Sequence, residues 1–138
     1  GVQTCALPIC GNRIADEVNV MNYDDYVRLI NKTEDYIEIN LGRQITLAEV
    51  AKSVNFSEYH FHRLFSKYSN ETLNQFVTRI KMERSAVYLS VNTDISITDI
   101  AFNYGYNSSS SYNKAFKKHY GMSPTEFRNK ARMEKNLE

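Results

Sequence analysis

Cysteine is missing from every position after Cys10, and the two that exist, Cys5 and Cys10, sit together in GVQTCALPIC. A disulfide framework needs an even set spread along a small secreted chain. None is built here, and the rest of the chain fits a reducing cytoplasm. Proline and glycine are scarce too, with two Pro and five Gly, too few for a turn-rich all-β sandwich. No run of 18 apolar residues exists, which excludes a spanning helix and leaves no membrane partner to expect. Charge of one sign is also lacking, since the net charge is +1. What is present is enough for a core: 42% hydrophobic against 24% charged residues excludes disorder throughout. A chain of 138 residues suits one compact domain or two very small ones sharing a spacer.

The neutral mean hides a split. Residues 1–42 hold three Lys/Arg against seven Asp/Glu, and residues 43–138 hold fourteen against nine. A basic body behind an acidic head hints at an anionic partner. The first segment has no basic start and too short an apolar run for a secretion signal. Its letters resemble the translation of a sequencing adapter. Gly1–Cys10 are therefore read as an assembly artefact, or else as a short tail, and residues 1–20 receive no role in the fold. The frame is expected to begin at Met21.

From Asn22 the chain reads as helices. Asn22 can cap a helix with Asp24 and Asp25 in its first turn. Val27, Ile30, Ile37 and Leu41 give it an apolar face, and Gly42 a stop. An internal repeat follows. ITLAEVAKSVNF from Ile45 matches ISITDIAFNYGY from Ile95 at an offset of 50. After one extra serine the offset becomes 51, pairing Phe61 with Tyr112, Arg63 with Lys114, Phe65 with Phe116, Lys67 with Lys118 and Asn70 with Gly121. Two such copies imply two similar folding units. Capping signals recur with them, at Thr46–Glu49, Ser96–Asp99, Thr72–Gln75 and Ser123–Glu126, with Pro124 at a first helical position. Inside each copy a small residue (Ala51, Ala101) precedes a turn residue tolerant of positive φ (Asn55, Gly105). A short helix, such a turn and a second amphipathic helix make a helix-turn-helix.

Between the copies, residues 72–90 read as one helix of roughly 27 Å at 1.5 Å per residue. Leu73, Phe76, Val77 and Ile80 form one stripe, and Met82, Ala86 and Leu89 form another, turned by roughly 120°. The helix is expected to pass from one core to the other as a strut. The predicted fold is thus all-α, two helix-turn-helix subdomains joined by a long shared helix, about seven helices in all. The expected divisions are 1–20 tail, 21–90 first subdomain with the linking helix, 91–133 second subdomain, and 134–138 tail.

The second helix of each copy carries the polar residues that base edges require. With Phe61, Leu64 and Phe65 inside, Tyr59, His62 and Arg63 face out. With Tyr112, Ala115 and Phe116 inside, Ser109, Ser110, Asn113 and Lys114 face out. Arg or Lys can reach guanine O6 and N7, and Asn can pair with adenine. Ser57 and Ser108 lie at helix N-termini, where backbone N–H groups bind phosphate. Lys67, Lys117 and Lys118 suit the phosphate backbone. On a single helix such a face would signify only solvent. Its recurrence at matched positions favours double-stranded DNA as partner, with the strut spacing two reading helices for successive major grooves roughly 34 Å apart. The rival reading is a helical protein-interaction module that does not read DNA.

Other chemistry finds little support. His60 and His62 stand at i and i+2, whereas a helical metal motif needs i and i+4, so no metal is expected. No nucleophile–base pair and no Gly-rich phosphate loop is present, so neither an enzyme nor a bound cofactor is expected.

The stretch from about Asn31 to Arg128 resembles the DNA-binding region of the AraC/XylS family of bacterial transcription regulators. LAEVAKSVNFSEYHFHRLF, the strut's R-x-K-M-E-R-S-A-x-x-L, ITDIAFNYGYNSSSSYNKAFKKHYGMSP and TEFR carry the likeness. The resemblance implies seven helices and a cytoplasmic regulator that recruits or positions RNA polymerase. It places Tyr59, His62 and Arg63 at the base contacts of the first reading helix, and Ser109, Ser110, Asn113 and Lys114 at those of the second. The chain departs from the pattern at Asn70, where Gly is usual, and in the short-chained Ser-Ser face of the second reader. YHFHRLF…NETLNQFV is also similar to a subgroup with a GyrI-like small-molecule domain after the DNA-binding region. The chain is expected to be the front part of such a regulator, with an effector only if that further domain exists.

Overall fold

The structure, a computed structural model, describes residues 22–137. The expectations for residues 1–20 and for a start at Met21 lie outside the described residues. Seven helices and no strand occur among the described residues: α1 Tyr23–Ile39, α2 Leu47–Ser53, α3 Glu58–Tyr68, α4 Leu73–Val91, α5 Ile97–Asn103, α6 Ser109–Tyr120 and α7 Pro124–Asn136. They fall into two units. The first joins the described residues up to Tyr36 to Thr46–Thr72, and the second joins Ile37–Ile45 to the chain from Leu73 onward.

Local chemistry explains where the helices start. Asn22 Oδ1 accepts from the Asp25 amide at 3.0 Å, and the Asp25 carboxylate accepts from the Asn22 amide at 3.1 Å. Thr46, Ser57, Ser96, Ser108 and Ser123 each accept from the amide three residues on. Each such cap satisfies a donor that the helix itself leaves open and contributes about 1 kcal/mol.

In the first unit, Leu29, Val50, Ala51, Val54, Phe61, Leu64 and Phe65 are buried. Phe61 and Phe65 stack one helical turn apart with ring centroids 5.7 Å apart. Tyr68 on α3 lies 5.2 Å from Tyr26 and 5.7 Å from Tyr23, both on α1. The inward stripe of α1 differs from the expected one. Ile37 is buried as expected, but Leu29 and Thr33 share its side, while Val27 is exposed and Ile30 and Leu41 are half-buried. Thr33 can lie inside because its hydroxyl donates to the Leu29 carbonyl at 2.8 Å, which removes the cost of an unpaired buried hydroxyl.

In the second unit, Met82, Ala86 and Leu89 of α4 form a core with Ile100, Ala101, Tyr112 and Phe116. Tyr112 donates to Ser85 Oγ at 2.7 Å, and Ser85 donates to the Met82 carbonyl at 3.0 Å. From α7, Lys135 Nζ reaches the Ser90 carbonyl and Arg132 reaches the Thr93 carbonyl, both at 2.8 Å. These contacts explain why α4, grouped on sequence with the first subdomain, falls in the second unit. The Arg84 guanidinium also pairs with Glu38 at the end of α1.

The repeat is faithful through its turns. Asn55 (φ 63°) and Gly105 (φ 81°) both adopt the left-handed region. It breaks at the ends of α3 and α6. Gly121 closes α6 at φ 75°, whereas α3 closes through Ser69 in extended conformation (φ −101°, ψ 141°), and Asn70 is not left-handed. Asn70, aligned with Gly121 in the repeat, therefore sits in a different helix ending.

Candidate nucleic-acid interface

Each unit presents one polar helix face over its own core. On α3 the buried side is Phe61, Leu64 and Phe65. One turn of 100° per residue then places Tyr59, His62, Arg63 and Ser66 together on the opposite side. Tyr59 is 62% exposed, His62, Ser66 and Lys67 are exposed, and Arg63 is half-buried. The partial burial of Arg63 has a visible cause. Its Nη1 donates to Tyr59 Oη at 3.0 Å, and its guanidinium carbon lies 5.6 Å from the centre of the Tyr59 ring. The pair at i and i+4 holds the guanidinium along the helix, which reduces the rotamer entropy lost when it meets a planar acceptor. Lys67 Nζ rests 5.2 Å from the Tyr68 ring centre.

On α6 the buried residues are Tyr112 and Phe116, with Ala115 packed beside them. Ser110, Asn113, Lys114, Lys117 and Lys118 are exposed, and Ser108 and Ser109 are half-buried. Ser110, Asn113, Lys114 and Lys117 stand 51 residues after Tyr59, His62, Arg63 and Ser66, so the two faces are equivalent in register. They differ in chemistry. The α6 face has three lysines and α6 holds no acid, whereas α3 carries Glu58 in its first turn. Tyr112 forms the floor of this face. Burial raises its hydroxyl pKa well above the ordinary tyrosine value, offset only partly by the bond to Ser85, so it stays a neutral donor.

The N-terminal serines are committed to their helices. Ser57 Oγ accepts from the His60 amide at 3.2 Å. Ser108 Oγ accepts from the Ser111 amide at 3.2 Å and lies 3.1 Å from Ser111 Oγ. Phosphate at these ends would meet backbone N–H groups and the positive end of the helix dipole more than free hydroxyl acceptors. Among the described residues no group of three His, Cys, Asp or Glu side chains could hold a metal ion. None of the described helices is long and apolar enough to cross a membrane.

Sequence reasoning gave no role to Lys81, which is 6% exposed. The signal was positional: Lys81 stands four residues after Val77 and four before Ser85, on the inward side of α4.

A family model described as a helix-turn-helix domain matches residues 50–130. The Msm operon regulatory protein of Streptococcus mutans is 30% identical over 99 residues, covering 72% of this chain and 35% of that protein. "Probable transcription factor PqrA" of Proteus vulgaris is 30% identical over 107 residues, covering 76% of this chain and 87% of that protein. The crystal structure of a DNA-binding transcriptional dual regulator from Escherichia coli K-12 matches with a TM-score of 0.70 and 26% identity, covering 76% of this chain and 93% of that one. Several matched regulators are much longer, and this chain spans little more than a third of their length. With matched caps, repeated left-handed turns and equivalent outer faces, these likenesses agree on one conclusion: the chain belongs to the AraC/XylS family of helix-turn-helix regulators.

Proposed function

We propose that this chain is the sequence-specific DNA-binding part of a transcription regulator, and that α3 and α6 each read a segment of major groove. The observation that carries the reading is the equivalence of the two outer faces, Tyr59-His62-Arg63 and Ser110-Asn113-Lys114, at one offset of 51 residues. Surface polarity that only solubilises a helix has no reason to keep register between two units. In this reading Arg63 and Lys114 address guanine, Asn113 addresses adenine, and Tyr59, His62, Ser109 and Ser110 make looser contacts. Lys67, Lys117, Lys118 and the helix ends at Ser57 and Ser108 position the duplex through its phosphates. The α6 face, richer in lysine and short serines, contributes more to affinity, and the α3 face more to discrimination. Acting in the cytoplasm, the bound protein would recruit or position RNA polymerase. A small-molecule effector enters this reading only if the regulator carries a further domain.

The experiment is a binding titration with random duplexes and with duplexes selected from a random pool, at fixed salt. A sequence-specific reader binds its selected sites ~10³-fold or more tighter than random DNA. A protein-interaction module binds both weakly and equally.

A further inference from the structure

We propose that a cavity in the second unit, beside Lys81, binds a small oxyanion: a carboxylate or a phosphate. The cavity measures about 220 Å³, below the ~300–1,000 Å³ of sites for drug-sized ligands, so its occupant is small. Lys81 enters it from α4 almost wholly removed from water, at 6% exposure. Its Nζ donates to the Arg43 carbonyl at 2.8 Å, and that neutral group is its one hydrogen-bond partner among the described residues. An ammonium has three donors. A buried charge with a single neutral acceptor is costly unless a counter-charge arrives.

The surroundings favour an anion as that counter-charge. The cavity wall contains no carboxylate. Gln44 and Asn74 offer amides, Thr78 and Tyr106 offer hydroxyls, and Ile45 and Val77 line the rest. Burial, and then the like charge of Arg43, pull the Lys81 pKa below the ordinary lysine value, so an anion at this position also favours its protonated form. Gly105 keeps the side of the ammonium open, since a Cβ there would sit 3.2 Å from Nζ. None of the proposed DNA-contacting residues lines the cavity, which meets the second helix-turn-helix only at its turn, Gly105 and Tyr106.

The test is a titration of the full chain, followed by amide NMR, with inorganic phosphate and separately with acetate, at constant ionic strength set by sodium chloride. Saturable shifts at Gly105, Tyr106 and Thr78 with either probe support the site, and the probe that saturates tells phosphate from carboxylate. Lys81→Met should weaken that binding about tenfold or more, while Lys81→Arg retains it. Because Lys81→Met removes a buried bond, Thr78→Glu serves as a second variant. It changes an exposed residue, places a carboxylate in the cavity, and should abolish the saturable shifts. Shifts that follow ionic strength without saturating, or that survive both Lys81→Met and Thr78→Glu, overturn the proposal. So does a Lys81→Met chain that loses salt dependence on duplex DNA while free phosphate and acetate never bind.

Discussion

Tyr112 on α6 and Ser85 on α4 share a buried hydrogen bond of 2.7 Å, and it fastens the candidate reading helix to α4. Ser85 donates its own hydrogen bond to the Met82 carbonyl, so the chain of donors is complete. Removing the tyrosine hydroxyl leaves a buried serine lone pair without a donor. Tyr112→Phe should lower stability by about 1–2 kcal/mol, measured by urea unfolding. A double-mutant cycle with Ser85→Ala should show coupling between the two positions. Additive losses would contradict the link.

The same hydroxyl sets an alkaline limit. Its folded pKa is raised above the ordinary value of 10.0 by burial. Its contribution to stability is therefore fully present below about pH 10 and is lost as pH rises from there toward the folded value. Tyr104, Tyr106 and Tyr120 are raised in the same sense. Melting temperatures should fall between pH 10 and 12, and Tyr112→Phe should flatten that fall. A slope unchanged by the substitution would remove Tyr112 from this role.

The two repeat turns predict different responses. Gly105 has φ 81°, and a Cβ on it would meet the Arg43 backbone at 3.2 Å. Gly105→Ala should cost about 1–3 kcal/mol. Asn55 already has φ 63°, so Asn55→Gly should be close to neutral. Thermal unfolding of both variants checks the contrast.

Arg63→Ala should weaken binding to a selected site by about 1–3 kcal/mol and relax preference at one base pair. Tyr59→Phe keeps the ring and removes only the oxygen that accepts from Arg63, so its loss should be smaller and fall at the same base pair. Lys117→Ala should instead weaken all duplexes alike and flatten the salt slope by about one unit. Anisotropy titrations across salt concentrations separate the two behaviours.

Much of this architecture is legible in the sequence, for physical reasons. Caps such as Thr46 and Ser96 act over three residues, and the positive-φ turns need particular residue types, so both leave local marks. The inward positions Phe61, Tyr112 and Phe116 follow from helical period alone. What stayed hidden depends on side-chain bonds, local or distant, that residue periodicity does not mark. Thr33 replaces an apolar residue on the buried side of α1 because a backbone carbonyl four residues back accepts its hydroxyl. Lys81 can be buried because the Arg43 carbonyl, distant in sequence, accepts a hydrogen bond from it. The extended close of α3 at Ser69 is invisible to a repeat alignment that sets Asn70 against Gly121. The candidate reading faces were legible as faces, but the Tyr59–Arg63 bond that restrains one of them was not.

The most direct measurement is selection of bound duplexes from a random pool, repeated with Arg63→Ala and with Lys114→Ala. Two readers on one chain predict an enriched site with two separated segments. Arg63→Ala should blur one segment and Lys114→Ala the other. Recovery of sequences no different from the starting pool, or one segment blurred by both substitutions, would contradict the proposed reading of DNA by α3 and α6.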